Sequence, residues 1–393
     1  MSPERELTLL ACRTRAQRES ALEHTQRVGE TVDWDLLTAQ LAARRLLPQL
    51  GPRIAADTGS AAPERFTAAV ATAITRTRRQ SALLMLAGAR ITAALSDAGV
   101  ASMTIKGTAL AEDLYGDSGR RPAGDIDLLV HEKDLRRAVD VALEQGYEPP
   151  EDPVDRDGLP LLHQSLRHSA DRLPPLELHW RVHWYERRFA AAMLARAEPR
   201  AGEPGLQPRR EDQLACLLLC FARDGFQGLR LACDLSAWWD RFAGSLPAGG
   251  LVPIAREHPS LAPALTAASV AAERLAGLPA ERVLAPRRSR ATRVRLAARL
   301  ADPGIAGGPD QSRADAGLVD WLLTPAGGHA AFVRRQLLPP RAVLAGRSRA
   351  TGERRLTPAG HGLRVLGRYG LSVLRHAHSR PFSAPTSISS IRS

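Results

Sequence analysis

Two carboxylates, Asp125 and Asp127, stand two residues apart in the run Gly124-Asp125-Ile126-Asp127-Leu128-Leu129-Val130. The apolar run predicts a strand. Successive strand side chains face opposite ways, so the two Asp project together while Ile126 and Leu128 turn into the core. Adjacent carboxylates repel each other unless a cation lies between them. Mg²⁺ suits such a pair, because it takes one or two carboxylates together with phosphate oxygens. The chemistry implied is metal-dependent phosphoryl or nucleotidyl transfer. Upstream, Ile105-Lys106-Gly107-Thr108 supplies a small-residue turn.

A second run, Pro174-Pro175-Leu176-Glu177-Leu178-His179-Trp180, predicts another strand after a rigid Pro-Pro start. Glu177 and His179 share one face, and Leu176, Leu178 and Trp180 take the other. If the two strands are neighbours, Glu177 would complete an acidic triad with Asp125 and Asp127. Such a triad holds ions that stabilise the attacking and leaving oxygens. His179, beside a Trp, reads as a hydrogen-bonded core residue. His179 and His183 have the spacing of a zinc helix, but they fall on a strand and no general-base Glu follows His179.

Lysine is nearly absent: among 54 Lys plus Arg, only Lys106 and Lys133 are lysine. Lys106 offers phosphate a compact point charge where Arg would need room for its planar fork. Arg121, four residues before Asp125, is a second candidate for triphosphate charge, and Arg120 reads as a surface residue.

These motifs, with Leu114-Tyr115-Gly116-Asp117 and Gly146-Tyr147, resemble the DNA polymerase β-like nucleotidyltransferase superfamily. More narrowly, they are similar to its bacterial branch labelled uncharacterised nucleotidyltransferase, where Lys-Gly replaces the commoner Gly-Gly or Gly-Ser. The resemblance is strongest over residues 80–185. It implies Asp125 and Asp127 as paired metal ligands, Glu177 as the third carboxylate, and Gly107 and Thr108 as the turn that touches nucleotide phosphates. It implies a reaction too: a nucleoside monophosphate moves from a nucleoside triphosphate, held with Mg²⁺ in a two-metal site, to a small-molecule, sugar or peptide acceptor. The alternatives are an antitoxin-like or partner-binding protein that retains the fold, or a nucleic-acid-binding enzyme. The segment from Thr108 to Asp125 is longer than the superfamily's usual spacing.

The elements that position these residues follow from periodicity. Helices are expected at 4–22 and 34–47, a loop at 51–63, and a long helix over 64–98 with a break near Gln80. Strand 100–105 leads into a helix over 108–115 whose N-terminus, at Gly107, suits phosphate. A helix at 133–145 capped by Gly146, strands at 161–168 and 176–182, and helices from 210 follow. This predicts an α+β fold: a small mixed-sheet core flanked by N-terminal helices and a mainly helical C-terminal region. The expected divisions are 1–80 (helical), 81–197 (catalytic core), 198–377 (helical) and 378–393 (a disordered Ser- and Pro-rich tail). The Pro- and Gly-rich stretch 198–209 marks the boundary after the core.

Composition sets further bounds. Hydrophobic residues make up 44% and aromatics 4%, so the core must be mostly Leu, Ala and Val, as suits helices. No apolar run reaches the ~18–20 residues that span a bilayer, and Arg5, Glu6 and Arg13 interrupt any leader. The four cysteines lack paired metal spacing; Cys216 and Cys220 read as core thiols, and the expected location is the cytoplasm. The charge is uneven. Residues 281–393 hold 20 Arg against 6 acidic residues, while the rest carries a net of −2. A basic C-terminal third suggests an anionic partner, and 363–376 could form a basic amphipathic helix.

Overall fold

The computed structural model describes residues 1–149, 159–169, 173–202, 204–226, 228–284 and 313–338, with positions 293, 296, 297 and 300. The expected basic helix over 363–376, the tail from 378 and much of the basic excess lie outside these residues.

Five short helices open the chain: α1 (Pro3–Ala11), α2 (Arg15–Ser20), α3 (Leu22–Gly29), α4 (Trp34–Ala43) and α5 (Leu47–Thr58). The helix expected over 4–22 is therefore split. The loop expected over 51–63 is largely helix α5, despite Gly51 and Pro52. Pro52 lacks an N–H, so the carbonyl four residues earlier loses its helical partner. Arg120 replaces it, its Nε donating to Pro48 O at 2.9 Å and Nη2 to Gln49 O at 3.3 Å. Arg120 is thus half-buried, not the surface residue its sequence position suggests. Gly51 is needed for contact: a Cβ there would lie 2.4 Å from Val70 on the next helix.

That helix, α6 (Glu64–Asp97), is continuous, with no break near Gln80. Pro63 stands just before its first turn, and residues 64–87 contain neither Gly nor Pro to interrupt it. Gln80 and Ser81, which looked like a break, instead bind the carbonyls of Ala123 and Ser118.

The remaining elements alternate: β1 (Ser102–Thr104), α7 (Gly107–Tyr115), β2 (Ile126–Val130), α8 (Leu135–Glu144), β3 (His163–Leu166), β4 (Leu176–His179), α9 (Phe189–Ala195), β5 (Glu198–Pro199) and β6 (Leu206–Gln207). Helices α10 (Arg210–Arg223), α11 (Leu229–Phe242), α12 (Val252–Glu257), α13 (Ala262–Ala276), α14 (Ala280–Val283), α15 (Arg313–Leu323) and α16 (His329–Leu337) follow. The fold is α+β. The strands form one mixed sheet in the order β3-β4-β2-β1-β6-β5. Residues 198–209, read from sequence as linker, contribute β5 and β6, and β6 pairs in parallel with β1.

The two faces of the sheet bury different cores. Ile126, Leu128, Val130, Leu176 and Leu178 pack with Leu84, Ile91 and Leu95 of α6 and Ala138 and Val141 of α8. On the other face Met103 and Leu129 join a larger cluster with α7, α9, α10, α11 and the N-terminal helices. The alternation that sends Ile126 and Leu128 to one core leaves Asp127 on the opposite face.

Candidate active site

Strand pairing decides which carboxylates meet. β2 and β4 run parallel with Asp127 opposite Glu177 and Leu129 opposite His179. β3 and β4 run antiparallel with His163 opposite His179 and Ser165 opposite Glu177. One face therefore gathers Asp127, Glu177, His179 and His163, and Asp125 stands immediately before β2.

His179 is fully buried and acts as a clamp. Its Nε2 lies 2.9 Å from Asp127 Oδ1 and 3.2 Å from Glu177 Oε2. Burial disfavours its charged form, but the hydrogen bonds to Asp127 and Glu177 outweigh that and raise its pKa. The sequence reading of His179 as a hydrogen-bonded core residue agrees with this geometry. His163 Nε2 lies 3.7 Å from Glu177 Oε1, and burial followed by the neighbouring charge of His179 lowers its pKa. Sequence reasoning missed His163. The only signal was its place on a predicted strand; its pairing with β4 could not be read locally.

The carboxylates differ in environment. Burial alone would raise Asp127, but Lys106, the His179 hydrogen bond and Arg121 pull it well below the usual range. Lys106 Nζ stands 3.8 Å from Asp127 Oδ1. Glu177 is also lowered: burial opposes ionisation, and the His179 hydrogen bond and His163 outweigh it. Asp125 moves the other way, raised by burial and then by the negative charges of Asp127 and Glu177. Among the described residues it makes no hydrogen bond or salt bridge.

Gly107 opens α7 with φ +71°, a left-handed conformation that costs a side chain dearly. The long segment from Thr108 to Asp125 is filled by α7 and a 3₁₀ turn at Ser118–Arg120 that packs against α6 and α7. The result is a cavity of about 250 Å³. Lys106, Gly107, Thr108, Asp125 and Asp127 line one side of it, with Glu112 and Arg200, while Leu84, Gly88 and Thr92 of α6 line the other. Glu177 reaches the group from the neighbouring strand.

Arg121 is placed elsewhere. It is 4% exposed, its Nε donating to Asp234 Oδ2 at 2.8 Å and its Nη1 to Gly107 O at 3.1 Å. Asp234 also accepts from Tyr115 Oη and Gln49 Nε2. The cation expected to meet triphosphate thus holds the Gly107 turn from behind.

The site suits a divalent cation on its own chemistry. Asp125 and Asp127 are oxygen donors of the kind Mg²⁺ takes, and the like-charge repulsion on Asp125 is what a bound cation would relieve. His163, Glu177 and His179 each place a ligand-type atom within 4.8 Å of the others. His183 does not join them: its Nδ1 accepts from the Tyr185 N–H at 3.2 Å. Cys216 and Cys220 are buried free thiols. No helix among the described residues is long and apolar enough to cross a membrane.

A search of curated proteins gave no match. The family model described as uncharacterised nucleotidyltransferase matches residues 30–276. That span takes in Lys106-Gly107-Thr108, all three carboxylates and both histidines of the cluster, and runs to the end of α13. With well over half of its length matched across the residues that build the site, this chain belongs to the uncharacterised nucleotidyltransferase family.

Proposed function

We propose that the chain transfers a nucleoside monophosphate from a nucleoside triphosphate to a small-molecule, sugar or peptide acceptor and releases pyrophosphate. The observation that carries this reading is the register of Asp127 against Glu177, with Asp125 beside them at the mouth of the Gly107-Thr108 cavity. Residues Asp125, Asp127 and Glu177 would hold Mg²⁺, which when bound supplies charge neutralisation of the phosphate oxygens and alignment of the α-phosphorus. The first amides of α7 have no helical acceptor, and they donate to the phosphates where the helix N-terminus favours negative charge. Lys106 adds a point charge at the same mouth. His179 holds Asp127 and Glu177 in position from the buried side. The apolar α6 wall excludes water from the reacting phosphate.

The test is equilibrium binding of each common nucleoside triphosphate, with and without Mg²⁺, to the wild-type chain and to Asp125→Asn/Asp127→Asn. Mg²⁺-dependent binding that disappears in the variant supports the reading. The absence of any Mg²⁺-dependent binding component, or the survival of that component in the variant, overturns it.

A further inference from the structure

A second cavity, of about 430 Å³, lies at the other end of α7. A nine-residue helix spans roughly 13 Å, so α7 separates this cavity from the Gly107 turn. Five arginines line it: Arg15 and Arg18 from α2, Arg53 from α5, Arg120 from the 3₁₀ turn, and Arg241 from α11.

Three of them are fixed by the fold. Arg18 Nη1 donates to both oxygens of Asp57 at 2.8 Å. Arg53 Nη1 donates to Ala11 O at 3.2 Å and Ser236 Oγ at 2.9 Å. Arg120 is held by the Pro48 and Gln49 carbonyls. A guanidinium carries five N–H donors, so each keeps donors to spare; the Nε of Arg18 is buried without a partner. Arg15 and Arg241 stand exposed at the mouth, and neither makes a salt bridge among the described residues.

The charges do not cancel. The carboxylates at hand are Asp240, which lines the cavity and accepts from the Arg15 backbone N–H, and Asp57, which pairs with Arg18. Burial, then the positive charge of Arg53, lowers the pKa of Arg120. Guanidiniums that line one cavity repel one another unless an anion shares the space. Rigid planar forks also match phosphate oxygens in pairs, and a volume this size exceeds what one phosphate needs.

We propose that this cavity binds a compact oligophosphate, meaning two or more linked phosphates, without a metal ion. The shared chemistry is that of free pyrophosphate and of a nucleotide's phosphate tail. The site is distinct from Asp125 and Asp127 and does not depend on the activity proposed for them.

The test is calorimetric titration of the full chain with inorganic pyrophosphate, orthophosphate, citrate and ATP in the presence of EDTA. The proteins are wild type, Arg15→Ala/Arg241→Ala and Asp125→Asn/Asp127→Asn. The expected result is saturable pyrophosphate binding that is kept in the aspartate variant and weakened roughly tenfold or more in the arginine variant. Unliganded thermal melts check that the arginine variant, altered only at exposed positions, stays folded. ATP binding as tightly as pyrophosphate names the nucleotide tail as the source, and weaker ATP binding names the free anion; both support the proposal. Citrate or orthophosphate binding as tightly as pyrophosphate overturns it, because charge alone would then suffice. Absence of metal-free binding, or binding indifferent to Arg15 and Arg241, overturns it as well.

Discussion

The Nε2 of His179 lies 2.9 Å from Oδ1 of Asp127, and both side chains are almost wholly buried. A buried carboxylate is tolerable only when paired, and here an imidazole on the adjacent strand supplies the pairing. The same nitrogen reaches Glu177. The spacing between the two carboxylates is therefore set by a residue that faces neither solvent nor the cavity.

Replacing His179 should cost stability through Asp127. His179→Leu leaves a buried carboxylate with Lys106 at 3.8 Å as its nearest charge partner, and breaking a buried pair costs about 3–5 kcal/mol. In the Asp127→Asn background the same replacement should cost markedly less. Urea unfolding of the two single variants and the double variant measures the coupling. Additive losses would show that the contact does not stabilise the fold.

Gly107→Ala should lose about 1–3 kcal/mol through its positive φ alone, since the new Cβ meets only Asp125 O at 3.8 Å. Gly99, at φ +72° with open space around it, is the control. Gly99→Ala should lose similar stability and keep nucleotide binding, whereas Gly107→Ala should weaken it. Parallel unfolding and nucleotide titrations separate strain from site geometry.

Arg121→Met should destabilise the chain by about 3–5 kcal/mol, because it strands Asp234, which is fully buried. Arg121→Met/Asp234→Leu should recover much of that loss, since an apolar pair can replace a buried ion pair. A residue whose sole task was to meet triphosphate in the cavity would show neither effect in chemical denaturation without ligand.

Acid should destabilise the fold through His183. Burial and then the charge of Arg223 lower its pKa from 6.5 to about 3, and its Nδ1 accepts a backbone N–H, which requires the neutral ring. The unfolded chain takes up this proton below pH 6.5 while the folded chain does not. The contribution is complete above pH 6.5 and falls by about 1.4 kcal/mol per pH unit as pH drops toward 3. Denaturation midpoints at pH 7.5 and pH 5 should therefore differ less in His183→Gln than in wild type. An equal difference in both proteins rules the mechanism out.

The catalytic candidates were legible because strand alternation is local. Asp125-x-Asp127 and Glu177-x-His179 carry their facing in the chain itself, and Gly107 announces its turn by lacking a side chain. The mixed α+β character was legible for the same reason, since helical and strand periods are written in neighbouring residues. Local rules also misled. Gly51-Pro52 looked like a loop until Arg120, distant in sequence, took over the freed Pro48 carbonyl. Residues 198–209 looked like a linker until β1 offered an edge for pairing.

The sequence by itself determined which side chains share a face, where α7 begins, and that paired carboxylates follow the Gly107 turn. The tertiary structure alone decided that Glu177 lies opposite Asp127, that His163 and His179 join them, and that Arg121 turns away to Asp234. The physical reason is distance along the chain. Periodicity fixes orientation over a few residues, whereas strand register and the pairing of buried charges are settled by elements that meet only when the whole core closes.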